Sequence, residues 1–126
     1  MRHLLRRVTL GASALLAFLT ASPAIANGDT TATILRIFTY EQGKHYALIQ
    51  LTVPPAGTRA TCATNTVYAG AIDLSSSSGQ AQFALLLTAQ AMGREVRVFG
   101  VGDITGGGCT LYSPVENVSF VYMIEP

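Results

Sequence analysis

The two cysteines, Cys62 and Cys109, are the sequence feature that most limits how this chain can fold. An even cysteine count in an exported protein indicates a disulfide. A bond between these positions would close a long loop and, in the chain-entropy model, stabilise the fold by about 4 kcal/mol. Metal or redox thiols are the alternative, but the chain has no CxxC spacing and no cluster of histidines. We therefore predict one disulfide, Cys62–Cys109.

The expectation of export comes from the first 26 residues. Three arginines lie in the first seven positions, residues 8–19 are uncharged and mostly apolar, and Ala24-Ile25-Ala26 has the small-x-small pattern that signal peptidase recognises. A membrane anchor is the alternative, but a run of about a dozen residues is shorter than the roughly 20 that span a bilayer. We predict a signal peptide over residues 1–26, no membrane span, and a secreted or periplasmic mature protein.

The predicted mature part, residues 27–126, has the size of one domain and a small negative charge. It keeps five basic residues and all seven acidic residues, so its net charge is −2. Nucleic-acid-binding domains usually carry a basic patch or stripe. The charge therefore argues against a nucleic-acid partner.

Five segments predict strands and one predicts a helix. The helix, Gln80–Met92, consists of strong helix formers and ends at Gly93, the usual C′ residue. Ser77 lies three residues before Gln80, which is the spacing of a capping box. The strand segments are rich in β-branched and aromatic residues. They are Thr31–Tyr40, His45–Val53, Cys62–Ile72 with Thr66–Ile72 as the clearest part, Arg94–Phe99 and Val118–Ile124.

The order of these segments, βββαββ, predicts the fold class. With a single helix, a parallel α/β sheet is unfavourable, whereas a small antiparallel OB-like β-barrel capped by the helix fits. The fold is therefore expected to be mainly β with one helix (α+β). The helix is apolar on more than one side, so we expect most of it to be buried against the sheet. An exposed remainder could join subunits of a homo-oligomer.

The stretch GVGDITGGGCT, Gly100–Thr110, contains five glycines. A dinucleotide loop requires G-x-G-x-x-G between a strand and a helix, but here the spacing has one residue too many and the next element is β-like. The single acid, Asp103, does not make a calcium loop. We predict a mobile connection whose base is tied by Cys109 and whose backbone could contact a ligand.

Candidate ligand contacts are the residues nearest to loops, namely Tyr40, Tyr46, Tyr112 and Asp103. Tyrosines at such places can stack on sugar rings, although most strand aromatics of a small domain pack in its core.

Catalytic groups are sparse. His45 is the only histidine of the mature part, and no G-x-S-x-G elbow marks a nucleophilic serine. A hydrolase would need two carboxylates that converge in space, and the sequence leaves the relations of Glu41, Asp73, Asp103 and Glu116 open. We therefore predict a protein that is not an enzyme, with no catalytic, cofactor-binding or metal-binding residues and no cofactor.

The segments TILRIFTYEQGKHYALIQL and FALLLTAQAMGREVRVFG, with a cysteine between them, resemble the small OB-like B subunits of bacterial AB5 toxins of the subtilase-cytotoxin and pertussis-like group. They also resemble related exported proteins of proteobacteria. The resemblance covers about residues 33–122, and its most specific part is the passage from the helix through Gly93 into the next strand. In that family the barrels form a pentamer with helices facing the pore, and glycans bind on the barrel surface. The resemblance implies fold and export, and less directly an oligomer, but no sugar-contacting motif carries over.

Two functions follow as expectations. The first is a non-catalytic binding domain, secreted or periplasmic, that binds a glycan or another extracellular ligand at loop ends. The second is a structural or interaction protein of the cell envelope, or an inhibitor, that holds a protein partner through a strand edge or the helix face.

Overall fold

The computed structural model describes residues 27–41, 43–103 and 107–126. Within these residues the chain is mainly β with one helix, and its elements follow the predicted order. The predicted signal peptide, residues 1–26, lies outside the described residues. The elements are β1 (Asp29–Tyr40), β2 (Tyr46–Leu51), β3 (Gly70–Asp73), α1 (Ser77–Met92), β4 (Glu95–Gly100) and β5 (Val118–Met123).

The third strand is much shorter than the sequence predicts, because the chain turns at Asn65. The side-chain oxygen of Asn65 accepts hydrogen bonds from the backbone N–H groups of Val67 (2.8 Å) and Tyr68 (3.0 Å). The backbone carbonyl of Asn65 accepts from the Arg59 guanidinium. These local bonds use groups that a strand would offer to a neighbouring strand.

The five strands form one antiparallel sheet in the order β3-β2-β1-β4-β5 within the described residues. Strand β1 connects the two halves of this sheet. Residues 29–33 pair with β4, and residues 34–40 pair with β2, with a register shift between Ile34 and Arg36. A bulge of this kind bends a strand, so one long strand serves both halves.

The sheet does not close into the predicted barrel. The edge strands β3 and β5 are not joined by a ladder, and the described residues place a single parallel bridge, Ala71 to Asn117, between the two edges. Strand β3 has only four residues. A Cβ on Gly70 would lie 2.3 Å from Cγ2 of Val118, so that side chain already fills the space beside β3. The sheet therefore stays open, with edges that meet at one point.

Helix α1 covers one face of the sheet, which we call the inner face, and other segments cover part of the opposite, outer face. On the inner face, Leu86 and Ala89 of α1 pack against buried strand residues such as Ile49, Val96 and Val98. On the outer face of β2 and β3, a second core is formed by buried Tyr46, Leu48, Ala71 and Val115, with Phe38, Tyr68 and Leu111 packed against it.

Two connections supply the cover of this second core. We call residues 52–69 the first covering loop and residues 101–117, described at 101–103 and 107–117, the second covering loop. The predicted disulfide joins them, with 6.1 Å between the Cα atoms of Cys62 and Cys109. Because these loops lie over β2 and β3, the outer face of β4, β5 and the first half of β1 is left open to solvent.

Helix α1 begins one residue earlier than the capping prediction requires. The N-cap is Ser76, whose hydroxyl accepts from the Gly79 N–H at 3.0 Å, so the predicted Ser77–Gln80 box is wrong. The helix ends as predicted at Gly93, which has a φ of 63°. It buries a narrow stripe, Gly79, Leu86 and Ala89, and not most of its surface as expected. Among the described residues, there is no helix with the length and hydrophobicity that a membrane span requires.

Candidate functional site

The open outer face carries a group of aromatic and charged side chains that we call the aromatic platform. It consists of Phe99 and Arg97 on β4, Phe120 and Tyr122 on β5, and Asp29 at the start of β1. Alternation places these side chains outward, because the residues between them on β4 and β5, Val98 and Val121, belong to the inner core. The register then brings Phe99 opposite Phe120, Arg97 opposite Tyr122, and Asp29 opposite Phe99.

The three rings of the platform lie nearly parallel. The centroids of Phe99 and Phe120 are 4.4 Å apart with 20° between the ring planes. Tyr122 extends the row, with its centroid 5.9 Å from Phe99 and 6.4 Å from Phe120. The side chain of Phe120 is 46% exposed although it is large and apolar. Phe99 and Phe120 therefore stack face to face, and the platform is a stack of rings that the fold itself leaves partly exposed, most of all at Phe120.

Arg97 and Asp29 add a hydrogen-bonding pair to this surface. The guanidinium carbon lies 4.5 Å from the Phe99 centroid, within cation–π range. Its Nε and Nη2 donate to the two carboxylate oxygens of Asp29 at 2.7 and 2.5 Å, and its Nη1 donates to the Tyr122 hydroxyl at 3.0 Å. The hydrogen bonds from Arg97 lower the pKa of Asp29, and Asp29 in turn raises the pKa of Arg97.

The three tyrosines expected to contact a ligand come together in a second aromatic group, which we call the tyrosine cluster. The ring centroids of Tyr40 and Tyr46 are 5.3 Å apart, and Tyr112 lies 5.8 Å from Tyr46 and 6.3 Å from Tyr40. Tyr46 is buried in the second core, and this burial raises its pKa. Tyr40 and Tyr112 are exposed. The cluster thus joins the β1–β2 hairpin to the second covering loop. Tyr46 is a packing residue of the core, and Tyr40 and Tyr112 are the members open to solvent.

Asp103, the fourth expected contact, holds the two covering loops together. Its carboxylate accepts from the backbone N–H of Thr61 at 2.6 Å and from the Thr61 hydroxyl at 2.7 Å. These bonds lower the pKa of Asp103. Because Thr61 precedes Cys62, the Asp103 contact lies beside the disulfide and acts on the same pair of loops.

Two glycines of the glycine-rich stretch, Gly100 and Gly102, contact the buried carboxylate of Glu116. Oε1 of Glu116 accepts from the backbone N–H groups of Gly102 (2.7 Å), Ala60 (3.2 Å) and Gly28 (3.4 Å). Glu116 is only 1% exposed. A Cβ on Gly100 would lie 2.1 Å from the carboxyl carbon, so the close approach requires glycine there. Among the described residues, Oε2 of Glu116 has no hydrogen-bond partner.

The two described ends of the predicted mobile connection make backbone hydrogen bonds to other segments. The N–H of Gly100 donates to the carbonyl of Gly28 at 2.9 Å, and the carbonyl of Gly108 accepts from the N–H of Asn117 at 2.6 Å. The described ends of the stretch are therefore fixed by close contacts. Residues 104–106, also part of the predicted mobile connection, lie outside the described residues.

The remaining candidates for catalysis are a hydrogen-bonded aspartate and two exposed residues. Asp73 accepts from the backbone N–H and the hydroxyl of Ser75, which lowers its pKa. His45 and Glu41 are exposed. In the part of the chain that the structure describes, no three His, Cys, Asp or Glu side chains are grouped to hold a metal ion, and no pocket is enclosed.

The aromatic platform is absent from the sequence-based candidates because its residues lie within strands and not beside predicted loops. The alternation in REVRVF was the available signal for β4, since it puts Arg97 and Phe99 on the side opposite to Val96 and Val98. The β5 segment VSFVYM has apolar residues on both sides and gives no such signal. What the sequence does not give is which half of the outer face the covering loops leave open.

Comparisons with known proteins give no further guide to the site. The chain matches no protein-family model, and no curated protein or solved structure is significantly similar to it. The resemblance to the toxin B subunits therefore stays a prediction.

Proposed function

We propose that this protein is a secreted or periplasmic, non-catalytic binding domain that binds a glycan on the aromatic platform. The observation that carries the proposal is an exposed row of near-parallel rings with an Arg97–Asp29 pair in the same surface. A sugar ring has an apolar C–H face and a hydroxyl-bearing edge. The C–H face can pack on aromatic rings while the hydroxyls bond to the polar groups beside them.

Two further observations support the setting of this proposal. The Cys62–Cys109 disulfide is typical of oxidising compartments outside the cytoplasm. The five strands and the single bridge between the two sheet edges are compatible with an OB-like domain, because OB-folds are five-stranded, partly open barrels that bind oligonucleotides and oligosaccharides.

We expect the Phe120→Ala variant to bind a recognised glycan about tenfold more weakly, which corresponds to the ~1.4 kcal/mol of one lost stacking contact. Phe120 is half exposed, so its removal should leave the fold intact. The measurement is a glycan array with oxidised wild-type protein, followed by titration calorimetry of wild type and variant. Tyr40→Ala is the matched control, because Tyr40 is similarly exposed at 40% but belongs to the tyrosine cluster.

Two results would overturn this proposal. Oxidised wild-type protein that binds no glycan above background would remove the glycan function. Binding that is lost in Tyr40→Ala but retained in Phe120→Ala would show that the tyrosine cluster, not the platform, is the site.

A second candidate function is self-association through α1. The 16 residues of this helix include no charged side chain, and Leu87 (44%) and Met92 (57%) are exposed on it. Two copies of an uncharged helix meet no charge repulsion, and burying such apolar side chains stabilises an interface. A homo-oligomer formed in this way would also present several platforms at once.

We expect wild-type protein to sediment as an oligomer at micromolar concentration and Leu87→Lys to sediment as a monomer, because the lysine would place a charge in the interface. Val53→Lys is the control, since Val53 is similarly exposed but lies in the first covering loop. Monomeric wild-type protein across this concentration range would contradict the proposal.

A further inference from the structure

We infer that Asp29 makes the aromatic platform selective for neutral glycans over acidic ones, because its carboxylate occupies the edge of Arg97 that would otherwise bind an acidic sugar. This inference rests on the proposed glycan function and names the ligand class of the same surface. It follows from how Arg97 is bonded, from the other charges on the face, and from the small structural role of the pair.

Arg97 is already hydrogen-bonded along one edge of its guanidinium. A guanidinium binds a carboxylate most strongly through two parallel N–H bonds from one edge. In this protein Nε and Nη2 form that edge, and both donate to Asp29. Nη1 donates to the Tyr122 hydroxyl. A guanidinium has five N–H donors and two edges that can make such a pair of bonds. Asp29 occupies the Nε–Nη2 edge and Tyr122 engages Nη1 of the other edge, so the two N–H groups that remain can serve sugar hydroxyls.

The outer face carries other charged residues besides Arg97 and Asp29. Glu95 is exposed and shares the outward side of β4 with Arg97, because Val96 between them is fully buried. Arg94, the residue before it, donates to the carbonyl of Ile124 at 2.7 Å. The outward residues of β4, β5 and residues 29–33 of β1 thus carry two carboxylates, Asp29 and Glu95, and one cation, Arg97. Arg36 lies further along β1, in the half that pairs with β2. A sugar carboxylate would meet a surface whose cation is neutralised and whose remaining charge repels it.

The Arg97–Asp29 pair contributes little to folding. The side chains of Arg97 and Asp29 are 38% and 34% exposed, and ion pairs this accessible contribute about 0 to 1 kcal/mol to stability. The position of Asp29 is fixed by its backbone, which donates to Ala56 at 3.0 Å and pairs with β4. Replacing the carboxylate should therefore change the ligand class and leave the fold in place.

The experiment is a titration of wild-type protein and Asp29→Asn with pairs of glycans that share a core and differ in the terminal sugar, glucose against glucuronic acid and galactose against sialic acid. We expect wild type to bind the neutral member of a pair at least about tenfold more tightly, and Asp29→Asn to reduce this preference about tenfold or reverse it, since a freed guanidinium edge gains a charge-assisted bidentate contact. Glu95→Gln is the matched control, because it removes the same charge without freeing Arg97, and it should change the preference much less. Circular dichroism melting checks that each variant is folded.

The outcomes separate this inference from the proposed function. Wild-type protein that prefers the acidic members would overturn the selectivity of Asp29 and leave glycan binding standing. If Glu95→Gln and Asp29→Asn change the preference for neutral glycans equally, net charge alone sets that preference. This result would overturn the role assigned to the Arg97 edge. Absence of binding to every glycan would overturn the proposed function and this inference together.

Discussion

Replacing Glu116 with alanine is expected to lower the free energy of unfolding by about 3 to 5 kcal/mol, a large loss for one side chain. The carboxylate accepts from three backbone N–H groups, those of Gly28, Ala60 and Gly102. A hydrogen bond to a charged group contributes about 1.5 to 3 kcal/mol to stability. A buried N–H group that loses its acceptor destabilises the folded state by the free energy of its own desolvation. The three donors lie on separate segments, so the variant should loosen the N-terminal end of β1 and both covering loops.

The measurement is urea unfolding of oxidised protein followed by circular dichroism. Glu41→Ala is the control, because Glu41 is exposed and its side chain makes no hydrogen bond to the described residues, and we expect a change within about 0.5 kcal/mol. Glu116→Gln retains an acceptor oxygen, so its free energy of unfolding should lie between those of Glu116→Ala and Glu41→Ala. Equal stability of Glu116→Ala and Glu41→Ala would mean that the buried carboxylate does not hold these segments.

Removing the disulfide by the double substitution Cys62→Ser and Cys109→Ser is expected to destabilise the protein by about 4 kcal/mol. The bond spans a sequence separation of 47 residues, and its loss increases the entropy of the unfolded chain. Domains of this size have a net stability of roughly 5 to 15 kcal/mol, so this loss is a large part of the total. The covering loops pack over Leu48 and Ala71, and we expect this second core to open first.

Denaturation midpoints of wild type with and without reductant measure this effect. The double variant serves as the control for the reductant, because reductant should not change its midpoint. If reduction leaves the wild-type midpoint where it is, the covering loops are held by packing and by the Asp103 and Glu116 contacts without help from the bond.

Glu116 is a candidate catalytic acid in the sequence but a buried, hydrogen-bonded carboxylate in the structure. The sequence offers it as one of several acids that could pair for catalysis, and offers the glycines near position 100 as loose chain. The structure joins the two, because Gly100 and Gly28 leave room for the buried carboxylate. The residues that donate hydrogen bonds to Glu116 lie 14, 56 and 88 positions away along the chain. A local sequence pattern does not predict contacts between residues so far apart.

The barrel prediction failed for a related reason. The β-rich run before Asp73 predicted a long third strand, which would have had enough backbone to pair with β5. Asn65 instead satisfies the N–H groups of Val67 and Tyr68 inside this run, and a strand of four residues is left. A side chain that competes for backbone donors therefore decided whether the sheet could close.

What the sequence determined by itself is the set of local elements and the disulfide. The β-branched and aromatic residues of the β4 segment, the glycine that ends α1 at Gly93, and the even cysteine count are short-range or compositional signals. The strand, the helix end and the disulfide that they predict were confirmed. The tertiary structure alone decided that the covering loops lie on the β2–β3 side, that Glu116 is buried, and that Phe120 and Tyr122 stay exposed beside Arg97. These features depend on contacts between segments far apart in the chain, because burial is a property of the packed molecule and not of any segment.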